Sequence, residues 1–265
     1  MGVPIALTIA GSDSAAGAGI QADLKTFAAL GVYGASVITA ITVQNTKRVF
    51  AIHDVPAEVI TAQIDALFAD LEIGAVKIGM LNKTVAVDAV MAALDRYRPD
   101  KVVLDPVLVA SSGDQLLEFG ALGRLRELIG RVRVVTPNLL EAAALLDTVP
   151  ARNEDEMRAQ AERLLALGPG AVLIKGGHGT GSESVDVLVE PGGHVRFAAP
   201  RVATHNTHGT GCTFAAAIAA GLAKGLSLEQ ASRQAKSYVS AAIAAADRLG
   251  VGGGRGPLHH FPDRW

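Results

Sequence analysis

The segment AVKIGMLNKTVAVDAVMAALDRYRPDKVVLD, residues 75–105, decides the fold. It opens on a short apolar run, 75–79, and closes on another, 102–105. Between them apolar residues recur with helical spacing over 84–97. Two apolar runs flanking a helix of this kind read as a βαβ unit, which implies parallel strands with a helix against the sheet. Few polar residues interrupt the runs, which predicts strands covered on both faces.

The same alternation extends in both directions. Strands are expected at 5–10, 36–44, 132–136 and 171–175, and helices at 19–30, 56–70, 116–129, 138–147 and 153–167. After Lys175 the pattern changes. Two strand-like runs, 184–190 and 194–199, flank Pro191-Gly192-Gly193 and predict an antiparallel hairpin at the sheet edge. Helices over 210–223 and 227–248 follow, then a glycine-rich tail, GVGGGRGPLHHF, at 250–261. The expectation is an α/β/α fold with a mostly parallel central sheet and an antiparallel edge hairpin. No repeat or linker divides the chain, so residues 1–265 are expected to form one domain.

Composition narrows the function classes. Hydrophobic residues make up 49% and aromatics only 4%, so the core is built from Ala, Val, Leu and Ile. A formal net charge of −2 gives no reason to expect a nucleic-acid or anionic-membrane surface. The single cysteine cannot form an intramolecular disulfide, which suits a reducing compartment. The N-terminal apolar run is short and lacks a preceding basic residue, and Ala6 stands where a myristoylation site needs Ser or Thr. A cytoplasmic protein without a membrane span is expected.

In open α/β sheets ligands bind beyond the carboxyl ends of the strands. Polar and glycine residues collect there: GSDSAAGAG at 11–19, Gln44 and Asn45, Gly79-Met80-Leu81, Asp105, Thr136-Pro137-Asn138, and the run after Lys175. HGTGC at 208–212 leads into an alanine-rich helix. The unpaired N–H groups of such a helix start form an anion site, with Cys212 at the junction.

Several motifs are excluded. GAGIQA at 17–22 fits the dinucleotide fingerprint in letters, but Gly17 follows the expected strand end at a distance and no acidic residue stands between Asp23 and Asp54. No Gly-Lys dipeptide occurs, so there is no Walker A loop, and no Gly-x-Ser-x-Gly elbow. His205 and His208 lack a carboxylate or second cysteine to complete a metal site, and with His259 and His260 they read as polar loop residues. Asn138 and Glu141 at a helix start either cap it or place Glu141 beside magnesium-bound waters and a phosphate. Lys175, at a strand end before two glycines, is expected to reach an anion, either a ligand's or an internal carboxylate.

Taken in order, LTIAGSDSAAGAGIQADLKTF, GASVITAITVQNT, KIGML, VVLDPVLVASSGD, TPNLLEAAALL, KGGH, NTHGTGCT and GPLHHF resemble the hydroxymethylpyrimidine/phosphomethylpyrimidine kinases of thiamine biosynthesis, in the ribokinase-like superfamily. The resemblance covers nearly the whole chain. It implies ATP- and Mg²⁺-dependent phosphorylation of 4-amino-5-hydroxymethyl-2-methylpyrimidine and then of its monophosphate, by a homodimer. Gln44 matches the family's pyrimidine-recognising glutamine, and an amide suits an aminopyrimidine edge. Gly11 and Asp23 match substrate-side positions, and Met80 and Val107 match positions lining the ring. Asp105, Glu141 and Lys175 match the Mg-ATP side, with Asp105 and Glu141 toward the metal through water. Gly209, Thr210, Gly211 and Cys212 match the hole that receives the transferring phosphoryl group.

The chain departs from the family at Ala15 and Ala16, where small glycine- or serine-rich sets are usual. It departs again near Ser111, where a lysine is common, so no lysine contact to phosphate is expected from that loop. Cys212 stands where many sugar kinases of the superfamily carry an aspartate base. A helix start favours a thiolate and bound nucleotide opposes it, which leaves three readings: base, substrate contact or packing. Two other functions stay open beside the kinase of the pyrimidine. One is a pyridoxal or dual-specificity kinase, since related enzymes with this cysteine act on B6 aldehydes. The other is a non-catalytic ligand-binding domain.

Overall fold

The computed structural model describes residues 2–108, 116–118, 120–177, 179 and 181–264. Strand β1 (Ile5–Asp13) lies between β2 (Tyr33–Gln44) and β4 (Ala75–Ile78), parallel to both. The parallel run continues through β5 (Val102–Leu104), β6 (Val134–Val135) and β7 (Val172–Lys175). The expected hairpin is β8 (Glu183–Glu190) and β9 (Gly193–Pro200), antiparallel beyond β7. The full order is β3-β2-β1-β4-β5-β6-β7-β8-β9.

The strand β3 (Val49–Asp54) is an addition to the expected set. It folds back antiparallel on β2, so the sheet carries antiparallel strands at both edges. β1 also runs three residues beyond the expected end, through Gly11-Ser12-Asp13, with a register shift between Ala10 and Ser12. That extension carries Asp13 to the carboxyl edge. β6 is shorter than expected.

Alternation along the strands divides the core. Val102 and Leu104 of β5 face one layer with helices α2 (Ala57–Phe68), α3 (Thr84–Tyr97), α4 (Ala121–Ile129), α5 (Leu139–Leu146) and α6 (Glu154–Leu165). Val103, between them, faces the other layer with α1 (Gly19–Ala29), α7 (Thr210–Ala223) and α8 (Leu228–Ala244). The helix expected from 116 begins at Ala121, although Leu116 and Leu117 are buried ahead of it.

The alanine run of α7 has a packing cause. Every residue from Thr213 to Leu222 is buried, because α7 is enclosed by the sheet, α1 and α8. At Gly221 even a methyl group would sit 2.7 Å from the Ala231 Cβ, so α7 and α8 meet at a distance only small residues permit. Among the described residues no helix is long and apolar enough to cross a membrane.

Candidate active site

Strand ends from β2 to β8 open onto one cavity of about 870 Å³. At its β1–β2 end Asp13 organises the chain. Its Oδ1 accepts from the Ala15 N–H at 2.9 Å, and its Oδ2 accepts from Gly17 and Ala18 at 2.9 and 2.8 Å. The same Oδ2 lies 3.0 Å from His208 Nε2. Burial works against the Asp13 charge, but the His208 hydrogen bond and these backbone donors outweigh it and hold the pKa below the ordinary carboxylate value. Ionised Asp13 only accepts, so His208 Nε2 carries the proton between them. That nitrogen cannot also accept from Gln44 Nε2, which lies 3.4 Å away. The Gln44 amide is therefore left for a ligand.

The two glycine loops interlock. A methyl group on Gly17 would strike the His208 ring, and one on Gly209 would strike the Gly17 carbonyl. Gly209 also has φ +82°, in the left-handed region. It begins α7 with no side-chain cap, and Thr210 Oγ1 anchors the start by donating to the Thr207 carbonyl at 2.7 Å. An uncapped first turn offers its N–H groups to the cavity.

Opposite this turn, Lys175 Nζ lies 2.6 Å from Asp105 Oδ1, and Thr136 Oγ1 donates to the same oxygen at 3.4 Å. A Cβ on Gly211 would lie 3.2 Å from Lys175 Nζ. The lysine thus faces the helix start. Burial disfavours its charge, but Asp105 and Glu141 more than compensate and raise its pKa. Glu141 caps α5 as well as facing the cavity. Its Oε2 accepts from the Asn138 N–H at 2.8 Å, while Asn138 Oδ1 accepts from Leu140 and Glu141, both at 2.9 Å. The two sequence readings of Glu141 are thus compatible. Burial pushes its carboxyl up to about 7, with Lys175 pulling down and Asp105 pushing further up.

Further along, Asp186 Oδ2 pairs with Lys236 Nζ at 2.8 Å, and Asp186 Oδ1 accepts from the Gly176 N–H at 3.0 Å. Lys236 also donates to Ser184 Oγ at 3.1 Å. This second buried ion pair joins β8, α8 and the backbone after Lys175.

Gly11, Gln44, Met80, Val107, Asp105, Glu141, Lys175 and the 209–212 turn all line this cavity. Asp23 does not, and its expected substrate contact is corrected. It is wholly buried in α1, accepting from Thr8 Oγ1 at 2.6 Å and paired with Lys77 Nζ at 2.8 Å. A cation in the middle of β4 needs a buried counter-charge, and Asp23 supplies it. His208, His259 and His260 lie outside helices and regular strands, as expected, but all three are buried. His205 is exposed at the cavity mouth. Ser111 and His178, singled out in the sequence motifs, lie outside the described residues.

Asp13, Asp186 and Lys236 were missed as site residues. Lys77 had a readable signal, being the lone charge inside an apolar strand.

The chain is similar to known proteins in sequence and in fold. Residues 13–259 match the family model described as phosphomethylpyrimidine kinase. Over 262 residues the chain is 55% identical to the hydroxymethylpyrimidine/phosphomethylpyrimidine kinase of Rhizobium meliloti (strain 1021), covering 98% of each. It is 48% identical over 256 residues to a thiamine biosynthesis bifunctional protein of Geobacter sulfurreducens, covering 96% of this chain and 52% of that protein. Among solved structures, the pyridoxal kinase from Staphylococcus aureus in complex with AMP-PCP and pyridoxal matches with a TM-score of 0.90 at 30% identity, over 99% of this chain and 95% of that one.

Proposed function

We propose that this chain, which belongs to the phosphomethylpyrimidine kinase family, transfers the γ-phosphoryl group of ATP to 4-amino-5-hydroxymethyl-2-methylpyrimidine and then to its monophosphate, in thiamine biosynthesis. The observation that carries the reading is the order of groups along one cavity. An amide and apolar walls lie toward β2, the α7 N-terminus lies in the middle, and a cluster of buried charge lies toward β7. We read the chain as one catalytic domain because the nine strands among the described residues share a single sheet.

In this mechanism the pyrimidine ring packs on Met80 and Val107 beside Gly11, with its amino edge on the Gln44 amide. The hydroxymethyl group then points at the first turn of α7. There the N–H groups of Gly211 and Cys212 meet the charge of the transferring phosphoryl group. Lys175 exchanges its Asp105 partner for phosphate oxygen, which frees the Asp105 carboxylate.

Two carboxylates, Asp105 and Glu141, with phosphate oxygens and water, form a hard-oxygen donor set that suits Mg²⁺. Among the described residues no group of three or more His, Cys, Asp and Glu side chains could hold a metal. That favours an ion held largely by phosphates and water. When bound, Mg²⁺ would neutralise phosphate charge.

Ile41, Val43 and Phe50 leave an exposed apolar patch on the β2–β3 pair, and we assign it to a homodimer contact. A cytoplasmic location fits the ATP requirement and the single, unpaired cysteine.

The test is ADP release with the hydroxymethylpyrimidine, its monophosphate and pyridoxal as separate acceptors. Turnover is expected with the first two. Turnover with pyridoxal alone would overturn the assignment.

Cys212 acts as a neutral thiol against the substrate. Burial pushes its pKa up, Lys77 pulls it down, and Asp23 and Asp105 push up again, leaving it at about 11. At pH 7 the thiol is therefore protonated, which favours the substrate contact over the general base. Cys212→Ser and Cys212→Ala should keep single-turnover rates within about tenfold of wild type, because phosphoryl transfer depends more on positioning than on proton removal. A loss of about 10³ in both variants would restore the base reading.

A further inference from the structure

The glycine-rich tail at 250–261 has no role in the mechanism above, yet it reaches the cavity, where Arg255 joins the lining. Its backbone reaches two loops at once. Gly254 N–H donates to Thr46 Oγ1 at 3.2 Å, and Arg255 N–H donates to the Thr46 carbonyl at 2.9 Å. Gly256 N–H then donates to Asn206 Oδ1 at 3.0 Å, and the Gly256 carbonyl accepts from the His208 N–H at 3.1 Å. Pro257 forms a parallel bridge with His208.

Thr46 stands in the β2–β3 turn, two residues after Gln44, and His208 is the ring beside the Gln44 amide. The tail therefore joins the two segments that frame Gln44. Its far end is fixed: Leu258, His259 and His260 are buried. His259 N–H donates to the Ala242 carbonyl at 3.1 Å, and Tyr238 donates to the His260 carbonyl at 2.8 Å. His260 Nε2 also lies 3.1 Å from Thr213 Oγ1, in the first turn of α7.

The glycines are shaped to this path. A methyl group on Gly252 would strike the Thr46 side chain, one on Gly254 the Thr46 carbonyl, and one on Gly256 the Asn206 amide. No other residue type allows the backbone so close to both loops.

We propose that residues 252–260 form a strap that sets acceptor specificity by holding the Gln44 turn against the His208 loop. The strap is a positioning element. It acts through Gln44 and His208, and it joins the cavity lining at Arg255. The inference rests on the reading of Gln44 as the pyrimidine contact. Because β1 and β2 hold the acceptor end while β6, β7 and β8 hold the charged end, loosening the strap weakens acceptor binding and leaves nucleotide binding intact.

The test compares Thr46→Val, which keeps the side-chain shape without the hydroxyl acceptor, with Gly254→Ala and Thr46→Ser. Losing one such hydrogen bond corresponds to roughly a three- to tenfold change in an equilibrium. KM for the hydroxymethylpyrimidine should rise by that factor in Thr46→Val and by more in Gly254→Ala. KM for ATP and kcat should stay within about twofold, and Thr46→Ser should restore the wild-type KM. Equal rises in both KM values, or an unchanged acceptor KM, would overturn the strap.

Hydrogen exchange of Gly254→Ala supplies a readout without substrate. Faster exchange at 45–48 and at 205–208 together supports the strap, and unchanged exchange in either segment overturns it. Should the wild-type protein fail to turn over the pyrimidine, the acceptor reading falls and exchange alone decides the strap.

Discussion

Gly209→Ala should lower kcat by roughly 10³-fold while leaving a folded protein. Two physical effects meet at this position. An alanine at φ +82° costs about 1–2 kcal/mol in the left-handed region. In addition its methyl group would overlap the Gly17 carbonyl, which is backbone of the opposing loop. The helix start must shift, and its N–H groups shift with it. Single donors of this kind are worth about 10²–10³ in rate, and misplacement by about 1 Å can cost about 10².

Gly225→Ala separates the two effects. Gly225 sits at φ +84° between α7 and α8, and a methyl group added there would meet nothing within 4 Å. It should lose about 1 kcal/mol of stability and retain full kcat. Thermal unfolding and steady-state kinetics on both variants make the comparison. If Gly209→Ala keeps kcat within about threefold of wild type, the α7 start is not the phosphoryl-binding element.

The contrast between Gly209 and Asp23 shows where sequence reading succeeds and where it stops. HGTGC is legible because a left-handed glycine, a helix start and a run of alanines are all local signals. The βαβ frame is legible for the same reason: periodicity is written within each element. Asp23 was assigned to the substrate side by family resemblance alone, and no local signal reveals its burial, because its partner Lys77 stands 54 residues on. The lysine within AVKIG does imply a buried counter-charge, but nothing local says which one.

β3 escaped notice because Phe50, Ala51 and His53 are exposed and the strand is defined by pairing with β2 rather than by its own apolar pattern. The burial of His208 is not legible locally, because the chain that packs on it, Gly256 and Pro257, arrives from the far end of the sequence. The edge on which the site sits was therefore readable, and the contacts across it were not.

Lys175→Met should reduce kcat by about 10²–10³ and also destabilise the protein, and the double variant with Asp105→Asn should separate the two losses. Lys175 and Asp105 form a buried pair at 2.6 Å. Removing the cation alone leaves Asp105 and Glu141 facing each other without compensation, which costs about 3–5 kcal/mol for a buried pair. Replacing both charges removes that penalty, so the double variant should recover most of the lost melting temperature. It should recover none of the lost turnover, because the phosphate has lost its lysine. A double variant that regains activity would make the pair purely structural.

The pH profile adds an independent readout. Glu141 titrates at about 7 in the presence of Lys175, against an ordinary 4.5. If its carboxylate must be ionised to serve the nucleotide, kcat/KM for ATP rises with pH through about 7 in the wild type. Lys175 pulls that pKa down, so Lys175→Met should move the limb to higher pH. Stability runs the opposite way. The folded protein holds the Glu141 proton more tightly than the unfolded chain, so this contribution is complete below about 4.5 and is lost as pH rises through about 7. Activity and stability should therefore diverge across that interval in the wild type. In Glu141→Gln, which keeps the cap to Asn138 but cannot ionise, the stability component should disappear.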